Sequence, residues 1–165
     1  MSTATTPALE VSDLELVYRV RGIDRPVLRG VSFAIERGRS YGLVGESGCG
    51  KSTVALGIVR YLPRNGRISA GGIAVAGQDI LALGPRALRE YHARTVSMVY
   101  QNPGAALNPA LRIGMQVAEA FTVLGKGRKE AYERAREALA RVQIADPSSV
   151  MGRYPHQLSG GMQQR

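Results

Sequence analysis

The stretch that most constrains this chain is Gly45-Glu46-Ser47-Gly48-Cys49-Gly50-Lys51-Ser52-Thr53, which follows the pattern Gly, four residues, Gly-Lys-Ser/Thr. Each fixed element answers a physical need. Gly45, Gly48 and Gly50 let the backbone come close to a polyphosphate with no Cβ in the way, so that successive N–H groups face the anion. Glu46, Ser47 and Cys49 occupy the positions the pattern leaves free, and their backbone belongs to the same cradle. Lys51 is placed to set its ammonium against the β and γ phosphates, and the Ser52 hydroxyl to ligate the Mg²⁺ between them. A helix starting near Gly50 and running through Thr53 adds the positive end of its dipole.

The flanks supply the context this loop requires. Ser40-Tyr41-Gly42-Leu43-Val44 is a short apolar run suited to a buried strand. Ser52 to Tyr61 carries Val54, Ala55, Ile58 and Val59 at helical spacing. Strand, glycine loop and helix is the arrangement in which such loops work.

At 165 residues the chain has the length of about one domain, and 44% apolar with 21% charged residues is an ordinary globular balance. No apolar run approaches the roughly 20 residues that span a bilayer, and Met1 to Pro7 lacks a secretory pattern, so a cytoplasmic protein is expected. The single cysteine, Cys49, excludes an internal disulfide and is assigned no catalytic role. The net charge of +9 is scattered from Arg19 to Arg165 with no basic run longer than two, and no nucleic-acid partner is expected.

Along the chain, residues 1–7 read as a flexible leader. Leu14, Leu16 and Tyr18 alternate with Asp13, Glu15 and Val17 and predict a half-exposed strand. Gly22 to Pro26 reads as a break, and Val31, Phe33 and Ile35 as a second strand. With the strand before the loop they predict a mixed sheet. By spacing alone Tyr18 is either a base-stacking aromatic or a cross-strand core residue. Ile73 and Val75 mark a short strand, Pro85 to Ala93 a helix with Leu88 inward, and Val96-Ser97-Met98-Val99-Tyr100 a buried strand that delivers Gln101 to its carboxyl end. His92 reads as a surface histidine. Beyond Leu107 only helices are expected: Ile113 to Leu124, and Arg128 to Val142 with Ala131, Tyr132, Ala135, Ala138, Leu139 and Val142 on one face.

The chain ends on Leu158-Ser159-Gly160-Gly161-Met162-Gln163-Gln164-Arg165. Leu-Ser-Gly-Gly-x-Gln resembles the signature motif of the ATP-binding-cassette (ABC) ATPases, and the loop and Gln101-Asn102-Pro103 precede it in the family's order. From about Leu9 onward the chain is similar to that family. The wording Tyr100-Gln101-Asn102-Pro103, Leu107-Asn108-Pro109 and Arg153-Tyr154-Pro155-His156-Gln157 resembles the branch that imports dipeptides, oligopeptides and nickel.

The resemblance implies an α/β fold of the phosphate-loop NTPase type, a mixed sheet around a central helix plus an α-helical subdomain, truncated here. Residues 8–103 would form the nucleotide-binding core and 104–165 the helical signature subdomain. It implies ATP and Mg²⁺ as cofactors, Gln101 reaching Mg²⁺ and the attacking water, and Tyr18 stacking on adenine. Leu158, Ser159, Gly160, Gly161 and Gln163 would form the signature that meets the γ-phosphate held by a second ATPase subunit, identical or paralogous. Integral-membrane permease subunits would be the other partners, with the segment from about Asn102 to Glu119 meeting the permease's coupling helix. The protein would then work peripherally on the cytoplasmic face of the cell membrane.

Residues 1–165 contain no apolar run ending in Asp-Glu, which in the family supplies the Mg²⁺-organising aspartate and the general base, and no later switch histidine is identified. The chain is therefore expected to be the N-terminal part of a nucleotide-binding domain, marginally stable and hydrolysis-deficient by itself. A non-hydrolysing ATP-binding module is the alternative reading. A soluble cassette ATPase acting on ribosomes or DNA is a third.

Overall fold

The computed structural model describes residues 6–100, 102, 104 and 106–165. The chain divides into two compact units, residues 1–90 and 91–165. The first is a sheet with one helix against it, and the second is helical.

In the first unit β1 (Leu9–Val20) and β2 (Ile23–Ile35) form a hairpin. After α1 (Lys51–Ile58) come β3 (Gly66–Val75) and the two-residue β4 (Gln78–Asp79), giving the sheet order β2-β1-β3-β4 with every neighbouring pair antiparallel. The expected break over Gly22–Pro26 is only the tight turn at Arg21 and Gly22, and the strand resumes at Ile23. Pro26 is tolerated because β2 is an edge strand, where a missing N–H need not break a ladder.

A bulge decides which residues reach the core. Asp13 has φ 46°, the register with both neighbours shifts around it, and the inward parity of β1 switches from Val11 to Leu14 and Leu16. All three are buried, with Leu14 and Leu16 fully enclosed. Helix α1 packs over them at Gly57, whose Cβ position lies 3.9 Å from Leu14, Leu16 and Ile73 side-chain atoms, and Val54, Val59, Leu28 and Ile80 complete the core. Leu16→Ala is expected to cost about 2–5 kcal/mol, read as a lowered denaturant midpoint.

Two expected buried strands do not form. Residues 40–44 join no ladder among the described residues, and Val44 is 93% exposed. Residues 96–100 behave likewise, with Val99 90% exposed. Their apolar composition suits a strand, but a strand needs a neighbouring strand to take its N–H and C=O groups, and among the described residues neither segment pairs with one. Among the described residues the pairings are all antiparallel, so the sheet lacks the parallel component that a mixed sheet would add, while the α/β character stands.

Helix α2 (Pro85–Arg94) spans the division between the units and buries Tyr91 rather than the expected Leu88. Burial pushes the Tyr91 phenol above its usual range.

The second unit contains α3 (Ile113–Val123), α4 (Arg128–Arg141), α5 (Pro147–Met151), a 3₁₀ turn over Pro155–Gln157 and α6 (Gly160–Gln164). Small residues let α3 and α4 approach: Ala118, Ala131 and Ala135 are buried together against Val117, Phe121, Tyr132 and Met151. A second cluster gathers Ile113, Ile144 and Val150 with Leu107, Val117, Leu139, Leu158 and Met162. Glu130 on the solvated face of α4 bridges Lys126 (3.0 Å) and Arg134 (3.7 Å), exposed pairs worth a few tenths of a kcal/mol each, on the order of 0.3–0.5.

Candidate functional site

The glycine loop joins residues 40–44 to α1 and lies almost wholly on the surface. Gly50, with φ 97°, caps α1 in the left-handed region, and Gly48 has φ 84°. At Gly50 a Cβ would also stand 2.8 Å from Leu28 Cδ2 and 3.4 Å from the Val27 carbonyl, so glycine is required both by conformation and by contact with β2.

The loop curls around the ammonium of its own lysine. Lys51 Nζ donates to the carbonyls of Gly45 (2.8 Å) and Glu46 (2.6 Å) and lies 3.4 Å from Cys49 Sγ. The Cys49 N–H closes a turn onto Glu46 O at 3.3 Å, and Val54 N–H donates to Gly50 O at 2.9 Å as the first helical bond. The amides of Lys51, Ser52 and Thr53 in the first turn have no intrahelical acceptor and face the end of the helix where the dipole is positive. The Ser52 side chain is exposed at that turn. A primary ammonium held by loop carbonyls beside the free amides of a helix's first turn is chemistry suited to a polyphosphate. Among the described residues no group of three or more His, Cys, Asp or Glu could hold a metal by itself. A Mg²⁺ here would rest on Ser52 and on phosphate oxygens, in the usual manner of that ion.

Tyr18 lies in β1 between Arg25 of β2 and Gly66 of β3. Its ring covers Gly66, where a Cβ would meet Tyr18 Cε1 at 2.6 Å, and it stays partly exposed. Gln101, together with Pro103, lies outside the described residues.

In the helical unit the segment Leu158 to Gln163 has two faces. Leu158 and Met162 pack into the second apolar cluster, while Ser159, Gly160 and Gly161 are exposed with open space around both glycines. Ser159 caps α6, its Oγ accepting from the Met162 N–H at 3.3 Å. Gln163 is turned inward: its carboxamide donates to the carbonyls of Pro155 (2.8 Å) and Leu158 (3.3 Å). The preceding turn is closed by Gln157, which accepts from the Tyr154 N–H at 2.8 Å, and His156 stacks on Tyr154 with centroids 5.7 Å apart. The sequence marks Gln163, Gln157 and His156 as parts of these motifs, but the bonds by which they support the turn are seen only in the structure.

A glycine loop closed on lysine and a helix starting at that lysine are the arrangement of the phosphate-loop NTPase fold. The model of the ABC transporter family matches residues 28–165, and the chain belongs to that family. The probable peptide ABC transporter ATP-binding protein y4tR of Sinorhizobium fredii is 42% identical over 160 residues, 95% of this chain and 48% of that protein. The probable D,D-dipeptide transport ATP-binding protein DdpD of Escherichia coli is 40% identical over 163 residues, 98% of this chain and 50% of that protein. The chain thus spans about half the length of the curated relatives it matches. Among solved structures, the ATP-binding cassette MJ0796, a dimer bound to ADP and Pi in a post-hydrolysis state, superposes with TM-score 0.79 at 23% identity, covering 94% of this chain and 65% of that one. That likeness establishes the fold as the cassette fold.

Proposed function

We propose that these residues bind ATP with Mg²⁺ as part of an ATPase subunit that energises a membrane importer of peptides or similar small solutes. The observation that carries the reading is the loop closed around Lys51 Nζ at the head of α1. The printed names of the relatives, peptide and dipeptide transport ATP-binding proteins, favour the peptide branch.

In this reading the loop amides and Lys51 hold the β and γ phosphates, Ser52 holds Mg²⁺, and Tyr18 offers its free face to the base. Mg²⁺, when bound, would supply charge neutralisation at the phosphates, and Gln101 would orient the attacking water. Ser159, Gly160 and Gly161 stand exposed, able to meet the γ-phosphate on a second subunit, while Leu158 and Gln163 hold that segment in place. The stretch from Asn102 to Glu119 meets the permease. No described helix is long and apolar enough to cross a membrane, so attachment on the cytoplasmic face would come through the permease.

The test is to purify the full-length protein, titrate it with a fluorescent ATP analogue, and reconstitute it with its permease in proteoliposomes. Saturable binding competed by ATP, and ATP-dependent uptake of a labelled dipeptide, are expected. No nucleotide binding would overturn the reading as a whole. Binding without uptake of any peptide would overturn the transport part.

A further inference from the structure

The loop Leu107–Arg112 is exposed at Asn108, Pro109 and Ala110, yet its backbone is more fully bonded than an idle surface loop requires. Gln116, one turn into α3 and partly buried, spends its whole carboxamide on it. Its Oε1 accepts from the Asn108 N–H at 2.9 Å, and its Nε2 donates to the carbonyls of Asn108 (3.0 Å) and Leu111 (2.9 Å). Asn108 then tightens the loop from within, its Oδ1 accepting from the Ala110 N–H at 3.0 Å and its carbonyl from the Leu111 N–H at 3.2 Å. One end of the loop is anchored by Leu107 in the apolar cluster. The other is anchored by the Ile113 N–H on the Arg153 carbonyl (2.9 Å) and by Arg112, whose guanidinium lies 5.8 Å from the Tyr154 ring centroid.

Gln116 thus satisfies one N–H and two carbonyls of a surface loop that water could have satisfied as well. Its effect is to remove conformational freedom from a segment that stays exposed. Ordering a contact surface in advance reduces the entropy lost when a partner binds. Only glutamine suits the position: glutamate would set a charge against two carbonyls, and methionine would fill the space without bonds.

We infer that Gln116 is a positioning residue that holds Leu107–Arg112 in the shape the permease meets. It touches neither nucleotide nor Mg²⁺. The inference rests on the transport reading above, since the partner is the permease named there.

The experiment compares full-length protein with its Gln116→Met and Gln116→Glu variants, each measured for ATP affinity, for ATP turnover alone, and for the turnover gained with reconstituted permease. Hydrogen exchange at the Asn108 amide reports whether the loop is released. ATP affinity and turnover without permease should be unchanged, Asn108 exchange should accelerate, and the permease-dependent gain should fall about tenfold, as expected for losing hydrogen bonds that order a docking element. A permease-dependent gain kept by Gln116→Met while Asn108 exchange accelerates would overturn the assignment. So would a parallel loss of ATP affinity, which would mark a structural role only. If the unaltered protein gains no turnover from the permease, the transport reading falls and this assignment with it. Should the Gln116 variants fail to fold, Asn108→Ala carries the same test, and an unchanged gain there would also overturn the assignment.

Discussion

Replacing Lys51 by alanine is expected to weaken ATP binding at least about 100-fold while leaving the fold intact. The ammonium is the one positive side chain enclosed by the loop, 2.8 and 2.6 Å from the Gly45 and Glu46 carbonyls. Held there at the head of α1, it would, in the proposed reading, meet the β and γ phosphates without first losing the entropy of ordering a long side chain. Two charge-assisted bonds to phosphate oxygens are together worth about 3–6 kcal/mol, and tenfold in affinity is about 1.4 kcal/mol, which sets the lower bound on the loss. The loop is exposed, so stability should fall by about 1 kcal/mol or less. Lys51→Arg should fail nearly as badly, because a planar guanidinium cannot take the place of a compact ammonium between two carbonyls. Titration of the variants with ATP and Mg²⁺, alongside circular dichroism, checks both halves; unchanged ATP affinity in Lys51→Ala would remove Lys51 from the site.

What could be read from the sequence divides according to whether the cause is local. The start of α1 at Lys51 follows from glycine spacing, and α3 and α4 end within a residue of where periodicity puts them, because a helix satisfies its backbone within its own segment. Strands depend on a partner. Residues 40–44 and 96–100 have strand composition and no ladder, whereas Gly66–Val75, with three glycines that argue against a long strand, forms ten residues of β3 because β1 pairs with it. The Asp13 bulge was equally hidden: strict alternation through Leu14, Leu16 and Tyr18 gives no reason to place Val11 on the same face. In the helical unit Leu158, Ser159 and the two glycines stand out as a motif. Gln157 and Gln163 are visible too, as parts of the family's wording, though the bonds they make are not. Gln116 does not stand out, since a carboxamide bonded to carbonyls five and eight residues away leaves no periodic trace.

The Asp13 bulge has a partner whose replacement should unfold much of the sheet. Gly71 in β3 has φ 87°, and a Cβ there would lie 2.3 Å from Asp13 O, 2.5 Å from Asp13 C and 2.6 Å from Leu14 Cα. All three are backbone atoms, so no side-chain rotation relieves the clash. Gly71→Ala must therefore carry left-handed strain of about 1–2 kcal/mol and overpacking of about 1–3 kcal/mol, a total of about 2–5 kcal/mol. Moving β1 away to make room would disturb Leu14 and Leu16, the two side chains fully enclosed under α1, and would add to that cost. Gly72, the next residue, is the internal control. It has ordinary φ and nothing within 4 Å of its Cβ position, so Gly72→Ala should be neutral or stabilise by about 0.4–1 kcal/mol through the unfolded chain. Chemical denaturation should place the Gly71→Ala variant below the Gly72→Ala variant by about 2–6 kcal/mol. Equal midpoints would mean that the bulge, and with it the parity switch that brings Val11, Leu14 and Leu16 to one face, is not what shapes this core.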